Sequence, residues 1–158
     1  MSRQTQIEVP DDLPIVRTVR EFDAPPAKVF RAHIDPELFV QWVGPHALAG
    51  EVSTWDARTG GEYRYAMKEP DGGDEHWFRG CFHELRDGER LVQTFCYEPW
   101  PDGVVLETLV FEALDGGRCR LTSTSLSGSF EERDALVASG MEQGVQEGFE
   151  KLDRLLAR

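Results

Sequence analysis

Five glycine-bearing breaks divide residues 48–126 into short pieces, and their spacing leaves little choice of fold. The breaks are Thr59-Gly60-Gly61, Asp71-Gly72-Gly73, Asp87-Gly88, Asp102-Gly103 and Asp115-Gly116-Gly117. Asp-Gly steps accept the positive φ that tight hairpin turns demand, so the segments between them are expected to run antiparallel as neighbours. Those segments cover residues 52–56, 61–68, 76–85, 91–98, 104–111 and 118–125, and each reads as a strand. A six-strand meander is the result.

Both flanks carry helix signals. Residues 15–23 (IVRTVREFD) alternate apolar and polar side chains, as a strand with one wet face does. Asp23-Ala24-Pro25-Pro26 then supplies a capping acid and prolines suited to a first helical turn, predicting a short helix over 26–34 with Val29, Phe30 and Ile34 on one side. Asp35-Pro36 restarts a helix by the same device, bearing Leu38, Phe39 and Trp42 before Gly44-Pro45 ends it. After the meander, Ser129-Phe130-Glu131-Glu132 fits a capping box that opens one long C-terminal helix. On that helix Val137, Met141, Val145, Phe149, Leu152, Leu155 and Leu156 fall within an arc of about 120°. Only the sheet is large enough to cover such a face. The order predicts an α+β fold: a six- to seven-stranded antiparallel sheet against a long C-terminal helix, with two short helices after the first strand.

The 158 residues suit a single domain over 15–158 behind a polar tail at 1–14. A net charge of −12 opposes nucleic-acid binding, which needs Lys/Arg stripes, and a polybasic lipid anchor is equally absent. No run approaches the roughly 18 apolar residues of a membrane span, and the first residues lack the apolar stretch of a secretory signal. Cys81, Cys96 and Cys119 are an odd number without CxxC spacing, which fits free thiols in a reducing compartment and predicts a cytoplasmic protein.

Several motifs occur together in order: Ala24-Pro25-Pro26-Ala27-Lys28-Val29-Phe30, Trp42-Val43-Gly44-Pro45, and Asp56-Ala57-Arg58-Thr59-Gly60-Gly61. They are followed by Gly80-Cys81-Phe82-His83-Glu84-Leu85, Glu89-Arg90-Leu91-Val92, and Gly140-Met141-Glu142-Gln143-Gly144-Val145. The set resembles the family named after the activator of the heat-shock protein 90 ATPase, at that activator's C-terminal domain. The resemblance runs over about 15–157. It implies membership of the SRPBCC superfamily, with the helix-grip fold of START lipid-transfer domains and the birch-pollen allergen. Two departures bear on function. Many members carry Trp where this chain has Val145, which would enlarge or reshape a cavity. The eukaryotic activator also engages its chaperone through a separate N-terminal domain, and residues 1–14 are too few to supply one.

Candidate ligand-binding residues follow from side-chain alternation. If Phe78 and Phe82 face inward on their strand, Gly80 and Glu84 do too, with Tyr63, Tyr65 and Met67 on the preceding strand and Phe95 on the next. Met141, Val145, Phe149 and Leu152 would close this face from the helix, with Trp42 beside them. The set makes either an aromatic-lined pocket or an ordinary packed core. Gly140, Gly144 and Gly148 recur every fourth residue along one border of that face, leaving either room for a ligand or close approach of the helix to a strand. Glu84 is a general acid raised in pKa by burial, or an ion-pair partner of Arg58 or Arg64. His76, His83, Cys81 and Cys96 lack zinc-site spacing, His33 and His46 lack partner spacing, and no phosphate loop, nucleophile elbow or H-E-x-x-H motif occurs.

These readings converge on a protein without catalytic residues, metal or cofactor that binds a small hydrophobic or amphipathic ligand beneath its C-terminal helix. Two alternatives stay open: a chaperone-associated stress-response protein acting through its surface, and an enzyme of the polyketide cyclase or dehydratase kind.

Overall fold

The computed structural model describes residues 4–158. Its strands are β1 (Gln6–Glu8), β2 (Ile15–Phe22), β3 (Ala49–Trp55), β4 (Glu62–Lys68), β5 (Glu75–Arg86), β6 (Arg90–Tyr97), β7 (Val105–Leu114) and β8 (Arg118–Leu126). The short helices α1 (Pro26–Ile34) and α2 (Pro36–Phe39) sit between β2 and β3, and α3 (Phe130–Ala138) and α4 (Met141–Leu156) close the chain. All the strands form one antiparallel sheet in the order β1-β2-β8-β7-β6-β5-β4-β3. The meander therefore runs unbroken from β3 to β8, as its turns require. The N-terminal strand β2 then pairs with β8 and brings α1 and α2 over the same concave face.

Two expectations need correction. The sheet has eight strands among the described residues, because Gln6–Glu8, within the segment read as a polar tail, pairs with Arg17–Val19 at the edge. The C-terminal helix is two helices. Gly140 adopts φ +86°, a left-handed conformation that a glycine reaches without a Cβ penalty, and it ends α3 before α4 begins. The capping acid also reaches one residue further than a capping box would: Ser129 Oγ accepts from the Glu132 amide at 3.1 Å, while Glu132 Oε2 accepts from the Gly128 amide at 2.9 Å.

Two buried arginines fix the ends of this arrangement. Arg133 of α3 donates from Nη1 to the carbonyls of Pro10, Leu13 and Ile15, tying the β1–β2 connection down. Arg20, 1% exposed on the inward face of β2, forms a two-pronged ion pair with Asp153 of α4 at 2.6 and 2.9 Å. The guanidinium also lies 4.9 Å from the Phe22 ring centroid. These contacts anchor the C-terminal half of α4 to the β2 side of the sheet.

One core joins all layers. Phe22, Phe30, Phe82, Leu91, Leu121 and Leu152 are buried within it. Phe30 and His33 of α1 meet Phe111 of β7 edge-on at 5.2 and 5.4 Å. Burying such aromatic area is the main stabilising term available to a sheet with one covered face.

Candidate functional site

The floor of the concave face is aromatic. Tyr65 of β4 stacks on Phe78 of β5 at 5.2 Å, and Phe78 stacks in turn on Phe95 of β6 at 5.3 Å. Tyr63 stacks on Tyr65 at 6.1 Å and donates its hydroxyl to the Thr94 carbonyl at 2.5 Å. That path crosses Gly80, where a Cβ would stand 2.6 Å from the Tyr63 hydroxyl oxygen. Glycine is what lets the tyrosine lie flat across the strand.

Helix α4 and the loop before β3 form the opposing wall. Phe149 meets Phe22 edge-on at 5.3 Å and lies parallel to Trp42 at 6.1 Å. Trp42 is fixed by a 2.9 Å bond from Nε1 to the Ala32 carbonyl. At Gly148 an added Cβ would lie 3.1 Å from the Trp42 carbonyl, so this glycine serves close helix–loop approach; Gly144 meets only Pro45, at an ordinary 3.7 Å. Charges on α4 latch the loop. Lys151 donates to the carbonyls of Val43 and Pro45, Glu147 accepts from the His46 amide, and Glu150 pairs with the His46 ring at 3.1 Å.

The middle of the face is different. Phe78, Gln93, Phe95, Glu107, Ser123 and Ser125 share the inward side with Phe82, Leu91 and Leu109, as their cross-strand registers require. Yet all six remain partly exposed, as do Met141 and Val145 in the first turns of α4. The N-terminal half of α4 thus leaves the centre of the concave face partly exposed.

A carboxyl group stands in it. Glu107 of β7 is opposite Gln93 on one side and Ser125 on the other. Gln93 Nε2 donates to its Oε1 at 3.0 Å, and Ser125 Oγ lies 3.4 Å from its Oε2. Burial pushes the Glu107 carboxyl above the usual carboxylate range, and these two hydrogen bonds only partly offset it. Tyr63 and Tyr65 are raised in turn, chiefly by burial and next by the Glu107 charge. Among the described residues no Lys or Arg forms an ion pair with Glu107.

Of the residues singled out in the sequence, Trp42, Tyr63, Tyr65, Phe82, Phe149 and Leu152 converge in the buried core, with Met67, Phe78, Phe95 and Val145 packed against it. Met141 sits at the start of α4, partly exposed. Glu84 does not join them. A bulge at His83 puts two residues of β5 against one of β6, so Phe82 pairs with Gln93 but Glu84 with Val92, on the outer face. There Glu84 pairs with Arg86 and Arg90, while Arg58 binds Asp56 and Arg64 binds Glu98. The sequence pattern does not single out Glu107, Gln93 or Ser125. The available signal was the alternation Val105-Glu107-Leu109-Phe111, masked because Leu106 and Val110 make the outer side of β7 apolar too.

Open depressions also occur elsewhere. One lies on the outer sheet face around Arg64, Arg79, Cys81, Thr94 and Glu98, and another beside α1 between Arg31, Ala57 and Leu85. Neither includes a residue of α4. Among the described residues no three His, Cys, Asp or Glu side chains are grouped to hold a metal ion. His76 instead bonds the Tyr97 hydroxyl at 3.2 Å.

Residues 23–157 match the model of the activator of Hsp90 ATPase homolog 1-like protein family. The chain belongs to that family. Solved structures of similar shape come from several bacteria. A Chromobacterium violaceum protein is 28% identical with a TM-score of 0.81, covering 92% of this chain and 98% of its own. One from Arthrobacter aurescens is 27% identical with a TM-score of 0.86, covering 96% and 91%. One from Rhodobacter sphaeroides, 24% identical with a TM-score of 0.85 over 98% of both chains, shows the fold alone. No curated protein matches the chain. As a member of the activator of Hsp90 ATPase homolog 1-like family, the protein has an α+β structure in which the described residues form an eight-stranded antiparallel sheet that closes on the C-terminal helix α4. No helix among the described residues is long and apolar enough to cross a membrane.

Proposed function

We propose that the protein binds a small amphipathic molecule in the cleft between the concave sheet face and the N-terminal half of α4. The observation that carries this reading is the partial exposure of residues that point inward: a packed core would cover Phe78, Phe95 and Glu107, and here solvent reaches them. An apolar ligand body would lie against Phe78, Phe95 and Val145, gaining about 25 cal/mol per Å² buried. Its polar end would meet Glu107, Gln93 and Ser125, a small polar group inside a largely apolar surround. We read this as binding without catalysis. Free cysteines at Cys81, Cys96 and Cys119 suit the cytoplasmic placement that goes with this proposal.

Titration with a neutral apolar fluorophore tests the reading. One probe should bind per chain, with emission enhanced on entry into the cleft, and native mass spectrometry of freshly purified protein should reveal a retained small molecule. Absence of both sinks it. Recovery of a chemically altered ligand after incubation would favour the cyclase-like alternative, in which the raised carboxyl of Glu107 acts as a general acid.

A surface role draws on a separate observation. Leu106 and Leu126 are opposite each other on the outer face of β7 and β8, about 40% exposed, and Val110 stands on the same side. Apolar groups gathered on an outer face can dock a protein, and the family description makes a chaperone the partner to try. Saturable binding to a purified heat-shock protein 90 homologue, lost on Leu106→Lys, would support that reading.

A further inference from the structure

Building on the cleft reading above, we propose that the ligand is an apolar amine whose ammonium group seats on the Glu107 carboxylate. Among the described residues, the Arg20 and Glu107 side chains both project inward from the sheet and are treated differently. Arg20 is nearly fully buried and has its counter-ion, Asp153, in a two-pronged pair. Glu107 has only neutral donors, the amide of Gln93 and the hydroxyl of Ser125. A carboxylate offers about four acceptor sites, so two remain for a ligand. A partly desolvated charge without a counter-ion is unfavourable, and burial accordingly pushes this carboxyl upward. An ammonium ion placed there would supply both the missing charge and the missing donors.

The surroundings discriminate in the same sense. Phe95 is the diagonal neighbour of Glu107 on the shared face, since Gln93 opposes Glu107 and Phe95 opposes Val105. Phe78 and Tyr65 extend the aromatic surface from there. Ring faces attract cations and accept alkyl chains, whereas they offer nothing to an anion. A carboxylic-acid ligand would set like charges together in a partly desolvated site. At longer range, the net charge of −12 draws cations toward the molecule and repels anions. Selectivity for an amine over an acid or an alcohol of equal chain length therefore comes from one residue inside the cleft and from the field outside it.

Displacement of N-phenyl-1-naphthylamine by decylamine, decanol and decanoic acid at pH 7.5 tests the assignment. Decylamine should displace the probe at a concentration about tenfold lower than decanol, with decanoate weakest. Glu107→Gln should abolish the preference of amine over alcohol, whereas Glu131→Gln, on an exposed face of α3, should retain it. Circular dichroism melts confirm that each variant is folded. An amine that binds no better than the alcohol in the wild-type protein, or a preference that survives Glu107→Gln, overturns the assignment while the cleft reading stands. Failure of the probe and of all three compounds to bind removes the cleft reading, and the amine with it.

Discussion

Arg20 and Asp153 join the inward face of β2 to the outermost turns of α4 through two parallel hydrogen bonds, 2.6 and 2.9 Å long. The pair is lopsided: the arginine is shut off from solvent, while the aspartate side chain keeps 34% exposure. Asp153→Ala should therefore destabilise the fold by about 3 kcal/mol in urea titrations, because it strands a buried guanidinium. An Arg20→Met, Asp153→Leu double variant should recover most of that loss. Equal stability of Asp153→Ala and wild type would mean the pair does not hold the helix.

His33 predicts an acid-sensitive fold. Its ring is buried between Trp42 at 4.8 Å and Phe111 at 5.4 Å, and Nδ1 bonds the Val29 carbonyl at 2.8 Å. Burial lowers its pKa from 6.5 to about 4, against a smaller upward effect of that carbonyl. Between those values the unfolded chain takes up a proton that the folded chain refuses. Stability from this group is thus complete above pH 6.5 and is lost as pH falls toward 4, by about 2–3 kcal/mol. In His33→Gln, unfolding free energies measured at pH 7 and 4.5 should differ by correspondingly less.

Glu107 carries the opposite sign. Its carboxyl is raised in the folded state, so the native chain holds the proton longer than the unfolded chain does. Stability from this group is present below the ordinary carboxylate range and is lost as pH rises through the folded pKa. Glu107→Gln keeps the shape and removes the charge. It should melt above wild type at pH 7.5, by about 1 kcal/mol, with the gap closing near pH 4. A variant that is less stable at neutral pH would show the charge to be favourably paired.

Val145 tests the cleft by volume. It lies on α4, partly exposed and packed against the core. Val145→Trp should fill space at the open end, weaken probe binding and leave the melting temperature equal or higher. A solid core would instead be overpacked and lose about 1–3 kcal/mol.

Leu152→Asp separates core from cleft. Leu152 is fully buried in the cluster that α4 shares with the sheet, so the variant should unfold or lose more than about 3 kcal/mol. Thermal melts comparable to wild type would dissolve the assigned packing.

What could be read in the chain was what local chemistry dictates. Glycines at the hairpin breaks placed all six strands of the meander; Gly60, Gly72, Gly88, Gly116 and Gly117 take the positive φ of a turn, whereas Gly103 turns the chain without it. Prolines after Asp23 and Asp35 marked the starts of α1 and α2, and the spacing of Phe149, Leu152 and Leu156 marked the face of α4 that the core covers. The inward aromatic side chains of β4, β5 and β6 were legible for the same reason, since alternation along one strand is a local property.

Other features depend on which strands meet. The His83 bulge turns Glu84 outward, and nothing within the strand's own sequence announces it, because a bulge is defined by register against β6. Gly140 reads equally well as a small residue inside one helix or as the end of another; packing of α3 over β2 and of α4 along the core chose the break. The inward placement of Glu107 was likewise decided by its neighbours, Gln93 and Ser125 in the flanking strands, since both sides of β7 are apolar in sequence. Sequence by itself determined the elements and their order. Tertiary pairing decided which polar group faces inward, because a side chain's face is set by non-local hydrogen-bond register and by the residues across the ladder.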